Sequence, residues 1–371
     1  MMHDHGVSGA SVSRSPGAMA WGLRFLHRAC RLSTIGCLWK FILCLSLQTS
    51  LFSSTHCIAA PPLPTDIAEW LSRHQRPGQD GAMGRNRGGY IHARFQCYLH
   101  RHVDHAISSE DVSSLRWFCD AAEYAMRHQR PDGGFDFVPP SRASAMPAPS
   151  QTDLASGTAF FVASLATGLL ELDRSPWFRE TESLQPERMR VAAIGNGLKE
   201  TLDLLLKQRS RLVRADENAP NRLLLDALAL MAGGELVDHD GAVVAGREFL
   251  DAALGLVHDE GYFIEGGGFD SSYNGVAIAI AYRIERFFPD DRLAKTADRA
   301  MSWQHSRIAR SGEILTEGNA RVHGKGEAFL GRRKDVDVAF TLEAMALAHV
   351  REGNVEWLAV ARRVHQFYSR R

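Results

Sequence analysis

Asp259-Glu-Gly-Tyr-Phe-Ile-Glu-Gly-Gly-Gly-Phe-Asp-Ser-Ser-Tyr-Asn-Gly275 holds five glycines, four carboxylates, two tyrosines and no proline. Before it, residues 241–257 follow the one-sided apolar period of a surface helix. After it, residues 272–287 are apolar on most sides and rich in small side chains, as a buried helix is. Gly266-Gly267-Gly268 lets the backbone turn with positive φ or come close to a ligand. Asp270 or Ser271 can cap the helix that follows.

The same alternation recurs in both directions along the chain. Apolar segments at 151–170, 218–231, 272–287 and 337–351 are each followed by an amphipathic one. Further helices are expected at 66–74, 89–105 and 111–128, which makes about eleven in all, with no convincing strand pattern. Arg73-His-Gln-Arg-Pro77 returns as Arg127-His-Gln-Arg-Pro131, each closing a helix with Pro and Gly. Helices apolar all round belong inside and one-sided helices outside. The expected fold is therefore all-α: an α/α toroid, either incomplete or a six-hairpin barrel, over residues 61–371.

Residues 1–60 read as an export signal. Arg24, Arg28 and Arg31 precede the apolar run Phe41-Ile-Leu-Cys-Leu-Ser-Leu47, and small residues follow at Ala59-Ala60. Met19 is an alternative start. The expectation is a secreted or periplasmic protein with no stable membrane insertion once the signal is cleaved; an uncleaved anchor is the alternative. Five of the 43 Lys and Arg and one of the 43 acids lie in this leader, leaving 38 basic against 42 acidic residues. A slightly acidic remainder argues against nucleic acid as a partner. Four of the six cysteines are also in the leader. Cys97 and Cys119 lie at similar distances from a turn near 107–110, which allows either a disulfide or two buried thiols.

In a toroid the inner-helix N-termini and the loops before them form one mouth. The unusual residues gather there: Asp132 to Phe135, Glu217 to Arg222, Glu265 to Tyr273, and the 313–327 loop with its histidine and acids. His100, His102, Asp104 and His105 cluster on one predicted helix; the expectation for them is a solvated polar face, not a metal site. No phosphate loop, nucleophile elbow, paired-histidine zinc motif or Cys-x-x-Cys is present, and no cofactor or metal is expected.

Asn218-Ala-Pro-Asn-Arg-Leu-Leu-Leu-Asp226, the Gly-Tyr-Phe…Tyr-Asn-Gly stretch, and Ser306-Arg-Ile-Ala-Arg310 together resemble the order of active-site segments in polysaccharide lyases of the hyaluronate/chondroitin/xanthan lyase type. That resemblance covers roughly 215–312 and implies a toroid that cleaves an acidic polysaccharide by β-elimination. It implies that Asn221 holds the uronate carboxylate, that Tyr273 transfers the proton, and that Arg307 or Arg310 orients the acid sugar. The family's loop carries a histidine before the tyrosine. None stands between Gly266 and Tyr273 here; His258 and His323 are the candidates to replace it. Arg222, Tyr262, Asn274, Asp132, Phe135 and Asp270 are expected to contact substrate.

Two alternatives stand beside this reading. Glu265 paired with Asp132 or Asp270 would suit a glycoside hydrolase. A degenerate site would leave a non-catalytic carbohydrate-binding or envelope protein. Gln129-Arg-Pro-Asp-Gly-Gly-Phe135, Ser156-Gly-Thr-Ala-Phe160 and Asp335-Val-Asp-Val-Ala-Phe340 also faintly resemble the repeats and acidic motif of terpenoid cyclases, with Val338 where that motif has another aspartate.

Overall fold

Among the described residues the chain folds into thirteen α-helices and one pair of two-residue strands, Ala328–Phe329 with Arg332–Arg333. The computed structural model describes residues 61–140, 149–322, 328–329, 332–333 and 335–370. The leader expected over 1–60 and His323 lie outside the described residues.

Five helices are buried on nearly every side: α2 (His100–Ser109), α4 (Gln151–Arg174), α8 (Pro220–Leu236), α10 (Ser271–Phe287) and α12 (Val338–Glu352). Each packs against the next in that order. The ring closes where Glu343 of α12 meets His100 and Arg101 of α2, at 3.0 and 2.9 Å. Around them lie one-sided helices: α1 (Thr65–His74), α3 (Val112–Met126), α7 (Leu198–Ala215), α9 (Asp240–Leu254), α11 (Asp291–Ser306) and α13 (Val355–Ser369). Two short helices, α5 (Pro176–Glu180) and α6 (Gln185–Gly195), join α4 to α7. The fold is thus an α/α toroid, with five inner-outer pairs and the further outer helix α1 among the described residues.

A repeated turn sets the spacing of the outer layer. After α3, Arg130 N–H donates to the Gly134 carbonyl at 2.7 Å and Gly133 N–H to the Arg130 carbonyl at 3.0 Å. The same pair of bonds recurs after α1, α9 and α11, with Gly81, Gly261 and Gly312 in the place of Gly133. Gly133 has φ +83°, and a Cβ on it would stand 2.1 Å from the Glu200 carbonyl oxygen in α7. Only glycine lets the turn of one outer helix rest on the backbone of the next. The Arg-His-Gln-Arg-Pro repeat marks two of these four turns.

Two expectations are corrected here. The helix expected over 89–105 begins only at His100. Side chains tie this stretch to its neighbours instead: the Gln96 amide accepts from Met83 N–H at 2.5 Å and donates to the Gly81 and Ala121 carbonyls at 3.0 and 2.8 Å. Asn86 likewise clamps both backbone groups of His92 at 3.1 Å. Tyr98, at φ 72°, then breaks direction just before the helix. The histidine-rich helix α2, expected to be solvated, is instead an inner helix. His100, Arg101, His102, Asp104 and His105 are all buried.

Their burial is supported by an ionic cluster that spans the ring. Arg283 of α10 donates to Glu343 at 3.0 Å and to Asp104 at 2.9 Å, and lies 3.7 Å from Glu171 of α4. Arg101 and His100 reach the same Glu343, and Arg286 pairs with Glu171 at 2.5 Å. Three arginines face three carboxylates, so no net acid is left buried. His100, Asp104 and Glu343 bring one ligand atom each within 4.8 Å of one another, but the arginines already occupy those oxygens. Cys97 and Cys119 are both free and buried, and burial pushes their thiols up to about 11 and about 12.

Candidate active site at the mouth of the barrel

Every inner helix is followed by an outer one that runs back, so the inner N-termini gather at one end. Asp270 caps α10 by accepting Ser272 and Tyr273 N–H at 3.0 Å, Asp337 caps α12, and Pro220 opens α8. Helix N-termini carry partial positive charge. A cavity of about 340 Å3 lies among them, lined by Arg94, Phe160, Asn221, Arg222, Tyr273 and Phe340 among others. That is the lower end of the range for small-ligand sites, about 300–1,000 Å3.

Asn221 and Arg222 stand in the first turn of α8. Asn221 is 5% exposed, and its amide oxygen has no partner among the described residues. Arg222 pairs with Asp216 at 3.0 Å. Burial raises the Asp216 carboxyl even against that cation. Tyr273 comes from the first turn of α10, and the Arg321 guanidinium covers its ring at 4.7 Å. Arg321 also pairs with Glu265. Glu265 is 1% exposed, and burial pushes its carboxyl up to about 7, with Arg321 pulling the other way.

The floor is aromatic. Tyr98 and Phe340 meet edge to face at 5.1 Å, and the Arg101 guanidinium lies 4.6 Å from both rings. Asp335 and Asp337 complete the acidic side of the cavity. Burial raises the Asp337 carboxyl, against the pull of Arg101.

Of the residues singled out in the sequence, the structure brings Asn221, Arg222 and Tyr273 to the cavity wall, with Glu265 behind it. The others hold positions elsewhere. Asp270 accepts four N–H groups, from Ser272, Tyr273, Arg321 and Val322. Asn274 is fully buried between Phe263 N–H and Gln304. Tyr262 stacks on His258 at 4.5 Å, and Phe135 packs on Phe161 in the core. Arg307 lies 5.0 Å over Phe269 and donates to the Leu315 carbonyl, while Arg310 is exposed. Asp132 is an exposed turn residue paired with Arg130 at 3.2 Å. Asp270 is fully buried, and its charge helps to raise the Glu265 carboxyl.

Arg94, Tyr98, Phe160 and Arg321 were not singled out from the sequence. Arg94 and Tyr98 fall in the stretch that reads as helix and is not. His92, beside the turn that carries Arg94, is held down at about 4 by burial and is therefore neutral.

No family model matches the chain, and no curated protein matches it. Among solved structures it is similar to the crystal structure of a D-mannose isomerase, with a TM-score of 0.49 and 9% sequence identity, over 82% of this chain and 83% of that one.

Proposed function

We propose that the protein is an exported enzyme that cleaves an acidic, uronate-containing polysaccharide by β-elimination. The observation that carries the proposal is the meeting of Asn221, Arg222 and Tyr273 on one cavity at the positive ends of α8 and α10. A uronate carboxylate set against the Arg222 guanidinium and these helix ends has its charge neutralised, which makes the neighbouring C5–H more acidic. Tyr273, as phenolate, takes the C5 proton. The C5 electron pair forms the C4–C5 double bond, and the C4–O bond breaks toward the glycosidic oxygen. The phenol then returns its proton to that oxygen. Asn221 holds the carboxylate or an adjacent hydroxyl with its buried amide. No cofactor takes part in these steps.

Hydrolysis is the second reading, favoured by Asp335 and Asp337 on the same cavity. Asp337, whose carboxyl burial raises, would be the acid.

Uronate polymers incubated with the protein separate the two readings. Ultraviolet-absorbing ends signal elimination; reducing ends without that absorbance signal hydrolysis. Tyr273→Phe is expected to abolish the absorbing product while the fold melts as wild type does, and undiminished activity would sink the assignment. Export is checked by the mature N-terminus of secreted material, expected near residue 60.

A further inference from the structure

Tyr273 and Arg321 are fixed to one another by a single carboxylate. One oxygen of Asp270 accepts Ser272 and Tyr273 N–H at 3.0 Å, and the other accepts Arg321 and Val322 N–H at 3.0 and 2.6 Å. Asn319 staples the same stretch a second time, accepting Ser271 N–H at 3.0 Å and donating to the Val322 carbonyl at 2.9 Å. The Arg321 side chain runs across Gly266, where a Cβ would stand 3.4 Å from its Cγ and Cδ. Its guanidinium meets the face of the Tyr273 ring at 4.7 Å and one oxygen of Glu265. The other Glu265 oxygen is buried with no partner among the described residues, so the ionised form is poorly supported. The charges facing this carboxyl are Arg321, Arg222 from α8 and Asp270. Burial outweighs the two cations and sets the carboxyl at about 7.

We infer that Glu265 is a pH-responsive charge behind Tyr273, that it acts on the Tyr273 ring through Arg321, and that it sets the pH range of the reaction at this site. This rests on reading Tyr273 as the proton-transfer residue. The bonds to Asp270 and Asn319 hold the Arg321 backbone whether or not Glu265 is ionised, so what changes is charge and not position. With Glu265 protonated, a neutral acid lies behind the guanidinium, whose charge acts on the ring face without opposition from Glu265. With Glu265 ionised, the carboxylate offsets part of that charge. A cation over a phenol ring favours its ionised form, which is the form that takes the C5 proton. The chemical step is therefore expected to weaken as pH rises through about 7, where Glu265 loses its proton to solvent. Glu265 is a positioning residue in this scheme and touches no substrate.

The experiment follows the full-length wild type, Glu265→Gln and Arg321→Gln across neutral pH by carbon-13 NMR, with label in the glutamate carboxyls and in tyrosine Cζ. Glu265→Gln and Tyr273→Phe assign the two resonances, and melting temperature confirms the fold of each variant. Wild type is expected to show Glu265 titrating at about 7 and a step in the Tyr273 resonance with the same midpoint. Glu265→Gln should erase the step. Arg321→Gln should erase it too while Glu265 still titrates, at a higher pH, because the coupling runs through the guanidinium. On a uronate polymer, wild-type kcat should fall about two- to five-fold across the same transition, and Glu265→Gln should lack that fall. A shared titration in a protein that cleaves no uronate polymer keeps the coupled pair and sinks the elimination reading. The inference is overturned by a Tyr273 step that survives in either variant, by a Glu265 carboxyl that titrates in the ordinary range at about 4, or by the same kcat profile in wild type and Glu265→Gln.

Discussion

Gly133→Ala tests whether the repeated turn is a packing contact between outer helices or only a backbone bend. The glycine has φ +83°, and an added Cβ would stand 2.1 Å from the Glu200 carbonyl oxygen. Left-handed backbone costs an alanine about 1–2 kcal/mol. Forcing a methyl group into helix backbone that has no slack adds about 1–3 kcal/mol. The expected loss is thus about 2–5 kcal/mol in all. Gly353 supplies the control. It closes α12 at φ +67° with no heavy atom within 4 Å of the added Cβ, so Gly353→Ala should lose only the conformational part, about 1–2 kcal/mol. Urea denaturation of the three proteins, followed by tryptophan fluorescence and far-ultraviolet dichroism, gives the two differences from midpoints and a shared slope. Equal losses at 133 and 353 would refute the packing argument, because the backbone strain is common to both.

Two further outcomes follow from the buried charges. Burial raises the Asp226 carboxyl well above its usual range, and one of its oxygens has no partner among the described residues. A raised acid favours the folded state below its unfolded pKa and loses that contribution as pH rises through the folded value. Asp226→Asn should therefore remove a fall in stability between acidic and neutral pH; an unchanged pH profile of the unfolding midpoint would contradict the reasoning. Glu343→Gln leaves Arg101, Arg283 and His100 around a neutral amide, and breaking a buried pair costs about 3–5 kcal/mol. A loss under about 1 kcal/mol in urea denaturation would mean that the cluster is not the closure of the ring.

The layering was legible because burial repeats with the helical period. The all-round apolar runs that became α4, α8, α10 and α12 differ plainly from the one-sided runs that became α7, α9, α11 and α13. Helix α2 escaped this logic. Its charged side chains usually mark a surface, and what buries them is Glu343, which stands 243 positions from His100 along the chain. No local pattern carries such a partner. The site divides in the same way. Asn221, Arg222 and Tyr273 follow helix starts that capping and proline chemistry announce. Arg94 and Tyr98 sit where Asn86 takes both backbone groups of His92 and Gln96 ties the chain to Gly81, Met83 and Ala121, and composition gives no sign of either. Trp303 packs against Tyr262 and Phe269.

The cluster around Arg283 and Glu343 also shapes traffic. Below Tyr98 and Phe340 the axis of the ring is filled by Arg101, Arg283 and Glu343, each no more than 2% exposed. The toroid is therefore a cup and not a tunnel. Whatever enters at the mouth must leave by the mouth. On the function proposed above, the substrate would reach the site with only a short stretch of its chain, through the mouth alone.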